Sequence, residues 1–255
     1  VETAYPLFHT DAVQAFQFLD CDVKKLGVDM MTLSGHKIYG PKGVGTLYIG
    51  SRVQGIGYSD KKNKTLNPSG YTLAPIITGG GQEFGLRSGT ENIPLIVGFA
   101  EAVRLIAKNR DKEGERIAKL RDYLWKGIKK IYPKARTNPN NTQTYTEKLQ
   151  FKSVLSQDKS VVLPNFLNIY FPDYEAADLL VQLDLAGIAV STGSACSARS
   201  SEPSYVIEAL GLKRDQSSRS IRITLGRQTS KRDIDTTIKV IKNVRTMSKK
   251  KVINF

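Results

Sequence analysis

The sequence predicts an α/β fold, in which short strands and longer helices alternate along the chain. Three observations point to this class: apolar runs have the length of buried strands, amphipathic segments place apolar residues at helical spacing, and the two kinds of segment alternate. The 255 residues are 40% hydrophobic and 24% charged. This ordinary globular composition excludes collagen-like, mucin-like and wholly disordered chains.

The first part of the chain predicts strands, turns and one short helix. Apolar residues within 11–19 predict the helix, and the runs 28–33 and 44–49 predict strands on either side of a Gly-Pro turn. Residues 51–78 are expected to form a loop-rich segment, with its strongest breaker at 67–70. Residues 93–132 are expected to be helical, because their apolar residues recur near the i, i+3, i+4, i+7 spacing.

The remainder predicts a polar loop followed by alternating strands and helices. The closing helix is expected to begin at Ser230, because Ser230 and Asp233 have the Ser-x-x-Asp form of a helix start. In order, we expect a loop over 134–165, a strand over 166–171, a helix over 174–186, a strand over 188–191, a helix over 203–210, a strand over 220–225 and a helix over 230–247.

Charge is the unusual feature of the composition. Thirty-eight Lys and Arg against 24 Asp and Glu give a net charge of +14. The basic residues are dispersed, and the densest runs, 61–64 and 249–251, are not interleaved with aromatics as in a single-strand binding groove. We interpret the charge as a solvated surface, so nucleic acid is not a predicted partner.

Cysteine and histidine usage argues against a metal site. The two cysteines, Cys21 and Cys196, are far apart, and there are only two histidines. A large chain with few cysteines suits a reducing compartment, and no run of 18 apolar residues predicts a membrane span. We therefore expect a cytoplasmic protein without a membrane partner.

Three segments contain more polar and reactive side chains than folding requires. In the first, Ser34, His36 and Lys37 follow an apolar strand, where α/β proteins place ligands. Lys37 is either a Schiff-base nucleophile, if its surroundings lower its pKa, or a surface lysine in a loop.

The second segment, 193–200, has only small residues apart from Cys196 and Arg199. Cys196 is either an accessible nucleophile near a cation or a half-buried thiol at a strand end. Half-burial is our expectation for Cys21. In the third segment, Asp11 and Gln14 can face one side of a helical turn, although their spacing favours a cap and its solvent neighbour.

Five ordered motifs extend over essentially the whole chain. They are HTDAVQA at 9–15, SGHKIYGPKGVGTLYI at 34–49, GGGQEFGLRSGTEN at 79–92, STGSACSARSSEPSYVIEALG at 191–211 and SIRITLGRQT at 220–229. By these motifs the chain resembles the cysteine desulfurases of the NifS/IscS kind, in the class V aminotransferase family. The resemblance implies the fold-type-I architecture of enzymes dependent on pyridoxal 5′-phosphate (PLP).

The resemblance also implies roles for individual residues. Lys37 would hold the cofactor as a Schiff base and Cys196 would carry the persulfide. Arg222 would hold the substrate carboxylate. The residues that correspond to cofactor contacts are Asp11 at the ring nitrogen, Gln14 at the ring hydroxyl, Ser34 and His36 at the phosphate, and Thr90 at the phosphate of the partner subunit.

The resemblance implies a domain arrangement and a missing part. Residues 1–109 correspond to the C-terminal portion of the PLP-binding large domain with the start of the connecting helix, and 110–255 to the small domain with the cysteine loop. The family's large domain begins upstream of Val1, so we expect an N-terminally truncated chain. Residues 51–75 resemble an insertion, and Phe84 stands where many members have Arg.

The expected activity is conversion of L-cysteine to L-alanine with sulfur transfer to Cys196, in a homodimer. An iron–sulfur scaffold or a sulfur-carrier protein would accept the sulfur, for cluster assembly or tRNA thiolation. Two alternatives remain open. One is another class V PLP enzyme, such as a selenocysteine lyase or an aminotransferase, and the other is a non-catalytic fragment that acts as an interaction module.

Overall fold

The computed structural model describes residues 6–51, 53–55, 71–138, 163–193 and 204–251. It divides into two compact units, Val1–Arg110 and Asp111–Phe255. A helix of 39 residues, Ile93–Ile131, contributes to both units. Each unit contains strands and helices, which confirms the α/β class.

The first unit is built on a three-stranded sheet with the order β1 (His9–Asp11), β2 (Met30–Ser34) and β3 (Gly45–Ile49). β1 runs parallel to β2, whereas β3 runs antiparallel to it. Met31 of β2 is 2% exposed and belongs to a buried apolar cluster. The strands predicted over 28–33 and 44–49 are confirmed, with ends shifted by one or two residues.

The helix predicted over 11–19 is wrong. This segment forms successive turns, in which the Phe16 N–H donates to the Ala12 carbonyl and the Leu19 N–H donates to the Ala15 carbonyl. Two such hydrogen bonds do not offset the conformational entropy that is lost when a longer helix nucleates. A helix the sequence did not predict, α1 (Val23–Leu26), follows, and the Asp22 carboxylate caps it by accepting from the Lys24 N–H at 2.8 Å.

Two short parallel strands lie within the segment predicted to be a loop. They are β4 (Val53–Gly55) and β5 (Tyr71–Leu73). Residues 56–70 lie outside the described part of the chain, and with them the breaker predicted at 67–70 and most of the expected 51–75 insertion.

The 39-residue helix, α2 (Ile93–Ile131), begins and ends as predicted. Its start is capped by Asn92, whose side-chain oxygen accepts the Leu95 N–H at 3.3 Å. Its end precedes Pro133, which cannot continue a helix. In the first unit, Phe99 and Ala102 of α2 are buried in a cluster with Ile38.

The second unit has an antiparallel sheet with the order β6 (Arg136–Thr137), β7 (Phe166–Tyr170) and β8 (Ser220–Thr224). Ile169 of β7 and Ile221 of β8 are fully buried in the core of this unit. The helices after β7 are α3 (Ala176–Leu185), α4 (Tyr205–Ala209), α5 (Arg214–Ser218) and α6 (Lys231–Lys251). Buried residues of α3, of α6 and of the second half of α2 belong to the same core.

Most predicted elements of the second unit are confirmed, with three differences. β6 and α5 were not predicted. The strand predicted over 188–191 is reduced to one bridge, because only Ser191 exchanges backbone hydrogen bonds with Arg222. The predicted start of α6 is confirmed: the Ser230 N–H donates to the Asp233 carboxylate at 2.8 Å, and the Asp233 N–H donates to Ser230 Oγ at 3.3 Å.

Candidate active site

The parallel pairing of β1 and β2 brings two of the predicted site segments to one edge of the first sheet. Asp11, the last residue of β1, lies opposite Thr32, and β2 ends two residues later at Ser34. Carboxyl ends of neighbouring parallel strands meet at the same sheet edge, where α/β proteins bind ligands. The register therefore places Asp11 beside the Ser34–Lys37 segment, although 22 residues lie between Asp11 and Ser34 in sequence.

Lys37 lies on a 3-10 helix, Gly35–Ile38, that follows β2 directly. Ile38 is 2% exposed and packs against the apolar face of α2, which anchors the turn. Lys37 itself is half-buried. Its amine has no hydrogen bond or ion pair with the described residues, so it is available to react.

Ser34 and His36 contact each other through their side chains. The Ser34 hydroxyl oxygen lies 2.9 Å from His36 Nδ1, within hydrogen-bond distance. The contact fixes the imidazole at the mouth of the turn, with the other ring nitrogen left for a ligand. A hydroxyl and an imidazole together are suited to a phosphate group.

The backbone after Ser34 is packed too closely to accept a larger residue at Gly35. A Cβ at this position would lie 2.9 Å from the Pro41 carbonyl oxygen and 3.0 Å from Val44 Cγ1. The Gly35 N–H also donates to the Val44 carbonyl at 2.9 Å. These contacts fold the 35–45 segment back on itself and hold Lys37 in place.

Asp11 and Gln14 are exposed next to this edge. The Asp11 carboxylate accepts the Val13 N–H at 2.9 Å, as expected of a cap. That bond uses one lone pair of one carboxylate oxygen, so the group can still accept from a ligand. Gln14 lies in the turns after β1, three residues from Asp11.

Sequence reasoning missed the contribution of Thr32. Its hydroxyl oxygen lies 2.8 Å from Nε2 of His9, the first residue of the neighbouring strand. This side-chain contact crosses β1 and β2 beside Asp11. The available signal was a polar residue, one of two with Asp29, in the mainly apolar run 28–33.

Thr90 lies in a loop with unusual backbone conformations. Glu83 and Phe84 have φ angles of 52° and 58°, which few residues other than glycine adopt. The loop is closed by the Gln82 side-chain oxygen, which accepts the Gly89 N–H at 2.9 Å, and by the buried Ser88. Thr90 and Phe84 are both exposed, the latter 81%.

Arg222 lies on β8 in the second unit. Its backbone N–H donates to the Ser191 carbonyl at 2.6 Å, and its guanidinium lies 5.9 Å from the centre of the Phe166 ring. The buried Nε atom has no hydrogen-bond partner among the described residues. A buried donor without a partner is costly, and a carboxylate would satisfy it.

Of the two cysteines, Cys21 lies in the described part of the chain. Cys21 is 9% exposed and so more deeply buried than expected, and burial raises the pKa of its thiol, which disfavours the reactive thiolate. Cys196 and Arg199 lie outside the described residues. The residues just before them are ordered by the Ser191 hydroxyl, which donates to the Gly193 carbonyl at 2.8 Å.

The described residues were also compared with the requirements of a metal site and of a membrane span. Across the described ranges, no group of three or more His, Cys, Asp or Glu side chains is arranged to hold a metal ion. None of the helices in these ranges combines the length and apolar character needed to cross a membrane.

The sequence matches the family model described as aminotransferase class-V over residues 3–237. It is 37% identical over 236 residues to the cysteine desulfurase IscS 1 of Archaeoglobus fulgidus, covering 92% of this chain and 52% of that protein. It is 38% identical over 245 residues to the cysteine desulfurase IscS of Dictyoglomus turgidum, covering 94% and 53%. The chain thus spans about half the length of the curated relatives it matches.

Solved structures give the same result for the fold. The NifS-like protein from Rickettsia africae superposes with a TM-score of 0.72 at 31% identity, covering 94% of this chain and 54% of that one. A second NifS-like protein superposes with a TM-score of 0.70 at 30% identity. The expected fold-type-I architecture is therefore confirmed, and the chain belongs to the class V aminotransferase family.

Proposed function

We propose that this chain carries the lysine, cofactor contacts and sulfur-accepting cysteine of a PLP-dependent cysteine desulfurase. The observation that carries the proposal is the sheet edge at which Asp11, the Ser34–His36 pair and Lys37 are brought together by the β1–β2 register. The relatives named cysteine desulfurase support the same reaction. The activity of the whole protein remains part of the proposal, because the chain matches only about half of each relative.

The side chains at this edge fit the cofactor. An amine suits its aldehyde, a hydroxyl and an imidazole suit its phosphate, and a carboxylate suits its ring nitrogen. When bound, PLP supplies an electron sink that stabilises negative charge at the substrate Cα. We assign Lys37 to hold the cofactor, Ser34 and His36 to bind its phosphate, and Asp11 to keep the ring nitrogen protonated. Gln14 would approach the ring hydroxyl.

Two residues act on the substrate in this proposal. Lys37, released from the cofactor, would move the proton at Cα. Arg222 would bind the carboxylate of L-cysteine, and its unpartnered buried Nε supports this role. The Cys196 thiolate would attack the substrate sulfur. The C–S bond would break with its electron pair passing to the carbon side, where Cβ takes up a proton, so that L-alanine leaves and a persulfide forms on Cys196. Because an ordinary thiol is mostly protonated at neutral pH, Cys196 needs activation, to which Arg199 would contribute.

We further propose a homodimer and a cytoplasmic location. The exposed Thr90 loop supports the dimer, since Thr90 would contact the cofactor phosphate in the partner subunit. The two widely spaced cysteines fit a reducing compartment. The sulfur acceptor would be an iron–sulfur scaffold or a sulfur-carrier protein. Sedimentation velocity at micromolar concentration measures the dimer directly, and a monomer would contradict that part of the proposal.

The deciding experiment incubates the purified chain with PLP and L-cysteine and measures L-alanine. Alanine that is formed by the wild-type chain and by Lys42→Ala, but not by Lys37→Ala, supports the proposal. Lys42 is a suitable control because it is exposed and lies only five residues from Lys37. Persulfide that persists in Cys196→Ser would contradict the role of Cys196.

The same assay separates the alternative functions. Alanine formed from L-selenocysteine but not from L-cysteine would indicate a selenocysteine lyase, and amino transfer to a keto acid would indicate an aminotransferase. If neither the wild-type chain nor Lys37→Ala binds PLP or forms alanine, the non-catalytic alternative replaces the enzyme assignment for this chain.

A further inference from the structure

The net charge of the chain is concentrated in its second unit. Of the 38 basic and 24 acidic residues, 26 basic and 15 acidic lie in Asp111–Phe255, which gives this unit +11. Two segments account for much of the excess. Residues 123–138 contain five Lys and Arg, residues 236–255 contain six, and neither segment contains Asp or Glu.

The first segment includes the end of α2 and the second includes most of α6, and these two helices lie side by side in the same direction. The contacts between α2 and residues 229–245 follow the same order along both helices. Arg116 Nη1 donates to the Thr229 carbonyl at 2.8 Å, and the Tyr123 hydroxyl donates to the Asp235 carboxylate at 2.7 Å. Gly127 then packs against Ile238, and Arg245 donates to the Ile131 carbonyl.

Helical geometry places four lysines on the solvent side of this seam. Lys130 follows Gly127 by three residues and Lys242 follows Ile238 by four, so each lies about one turn beyond the contact pair. Lys126 and Lys239 extend the row on their own helices. We call these four residues the basic strip: Lys126, Lys130, Lys239 and Lys242. All four side chains are exposed, and none of the four amines has an ion pair or hydrogen bond with the described residues.

The acidic groups near the strip are already paired. The Asp235 carboxylate forms an ion pair with the Lys231 amine at 2.9 Å, and the Asp173 carboxylate forms one with the Lys134 amine at 3.1 Å. Carbonyls at the end of α2 and just beyond it, which would repel an anion, also accept hydrogen bonds from basic side chains. Arg245 donates to the Ile131 carbonyl, and Lys129 donates to the carbonyls of Pro133 and Ala135. The strip therefore presents uncompensated positive charge to solvent.

We propose that the basic strip binds the phosphate backbone of a nucleic acid, without reading its sequence. Two short rows of lysines, one on each of two parallel helices, present a cluster of positive charge to a polyanion, and neutralised phosphates release counterions. A membrane is the less suitable anionic surface, because the apolar faces of both helices are buried in the core and leave nothing to insert. Leu124 and Ile128 of α2 and Ile234, Ile241 and Val244 of α6 are all at most 7% exposed.

Binding of the full chain to a fluorescent 20-base-pair RNA duplex tests the proposal. Four phosphate contacts predict that affinity falls by about 10²-fold between 50 and 200 mM salt. Replacing all four strip lysines by Gln is expected to remove most of this salt dependence and to weaken binding at 50 mM salt by more than about tenfold. The variant should keep the wild-type circular dichroism spectrum, because these exposed amines make no hydrogen bond or ion pair with the described residues.

A matched variant removes the same charge elsewhere. Lys24, Lys42, Lys108 and Lys213 are exposed, and replacing them by Gln also lowers the net charge by four. This variant is expected to bind the duplex like the wild type. Equal weakening by both variants would overturn the proposal in favour of non-local attraction. Binding to vesicles with 30% anionic lipid, in the absence of duplex binding, would overturn it in favour of a membrane.

Discussion

The hydroxyl oxygen of Ser34 lies 2.9 Å from Nδ1 of His36, so the last residue of β2 and the second residue of the 3-10 helix orient each other. His36 is exposed, and its ring would otherwise turn freely. The contact thus prepares the imidazole beside Lys37 without burying it.

Ser34→Ala is expected to weaken PLP binding by about fivefold or more. The loss of one hydrogen bond that orients a phosphate ligand corresponds to about 1 kcal/mol. Absorbance titration of the chain with PLP gives the dissociation constant. Ser34→Thr keeps the hydroxyl and should bind nearly as tightly as the wild type. An unchanged dissociation constant in Ser34→Ala would show that the hydroxyl has no part in the site.

Two glycines of α2 should respond to alanine in opposite directions. At Gly127 a Cβ would overlap Ile238 Cδ1 and Cγ1, so Gly127→Ala forces the Ile238 side chain or α6 to shift and should lower the free energy of unfolding by about 1–3 kcal/mol. Gly114 has no neighbour within 4 Å of such a Cβ. Gly114→Ala should raise the free energy of unfolding by about 0.5–1 kcal/mol through helix propensity.

Urea unfolding, followed by circular dichroism, measures both effects on one helix. A stabilised Gly127→Ala chain would contradict the packing of α2 against α6 and, with it, the geometry of the basic strip.

Asp173 should contribute to stability at neutral pH and lose that contribution in acid. Its hydrogen bond with the Tyr132 hydroxyl, followed by that with Lys134, lowers the pKa of Asp173 in the folded state. The folded state then binds the proton less readily than the unfolded state, so the contribution is present above about pH 4 and is lost as pH falls through the folded pKa. Because Asp173 is largely exposed, the contribution is only about 0.5 kcal/mol.

Asp173→Asn is therefore expected to be less stable than the wild type at pH 7 and equally stable at pH 3. Urea unfolding at both values tests this difference. A gap that persists undiminished at pH 3 would assign the effect to lost packing instead of charge.

Tyr132 should make the second unit sensitive to alkali. Burial, followed by the hydrogen bond with Asp173, raises the pKa of the Tyr132 phenol. The folded state keeps this proton after the unfolded state has released it, so stability falls as pH rises above about 10. Tyr132→Phe cannot ionise, and the difference in unfolding free energy between the two chains should shrink from pH 8 to 11. A constant difference would mean that Tyr132 ionises as freely as an exposed tyrosine.

The two thiols should react at different rates. Burial of Cys21 limits access and raises the pKa of its thiol, so little thiolate forms at neutral pH. At pH 7.5 we expect iodoacetamide to label Cys196 at least about tenfold faster than Cys21. The Cys196→Ser chain should show only the slow reaction. A fast reaction retained in that variant would place Cys21 at the surface.

The sequence alone was sufficient where local patterns decide the outcome. The apolar repeat of 93–132, which ends before Pro133, predicted α2 to within a residue, and the Ser230–Asp233 pair predicted the start of α6. Helical periodicity, caps and breakers act between residues close in sequence, so they can be read directly. The same holds for the motif residues Ser34, His36 and Lys37, which share one turn.

Only the tertiary structure decided what depends on distant residues. The parallel register places Asp11 opposite Thr32 and so beside Ser34, and it shows the contact of Thr32 with His9. Charge shows the difference most clearly: composition established +14, but the pairing of α2 with α6 concentrated unpaired lysines on one surface. Strand register and helix packing join residues far apart in sequence, and no local pattern records them.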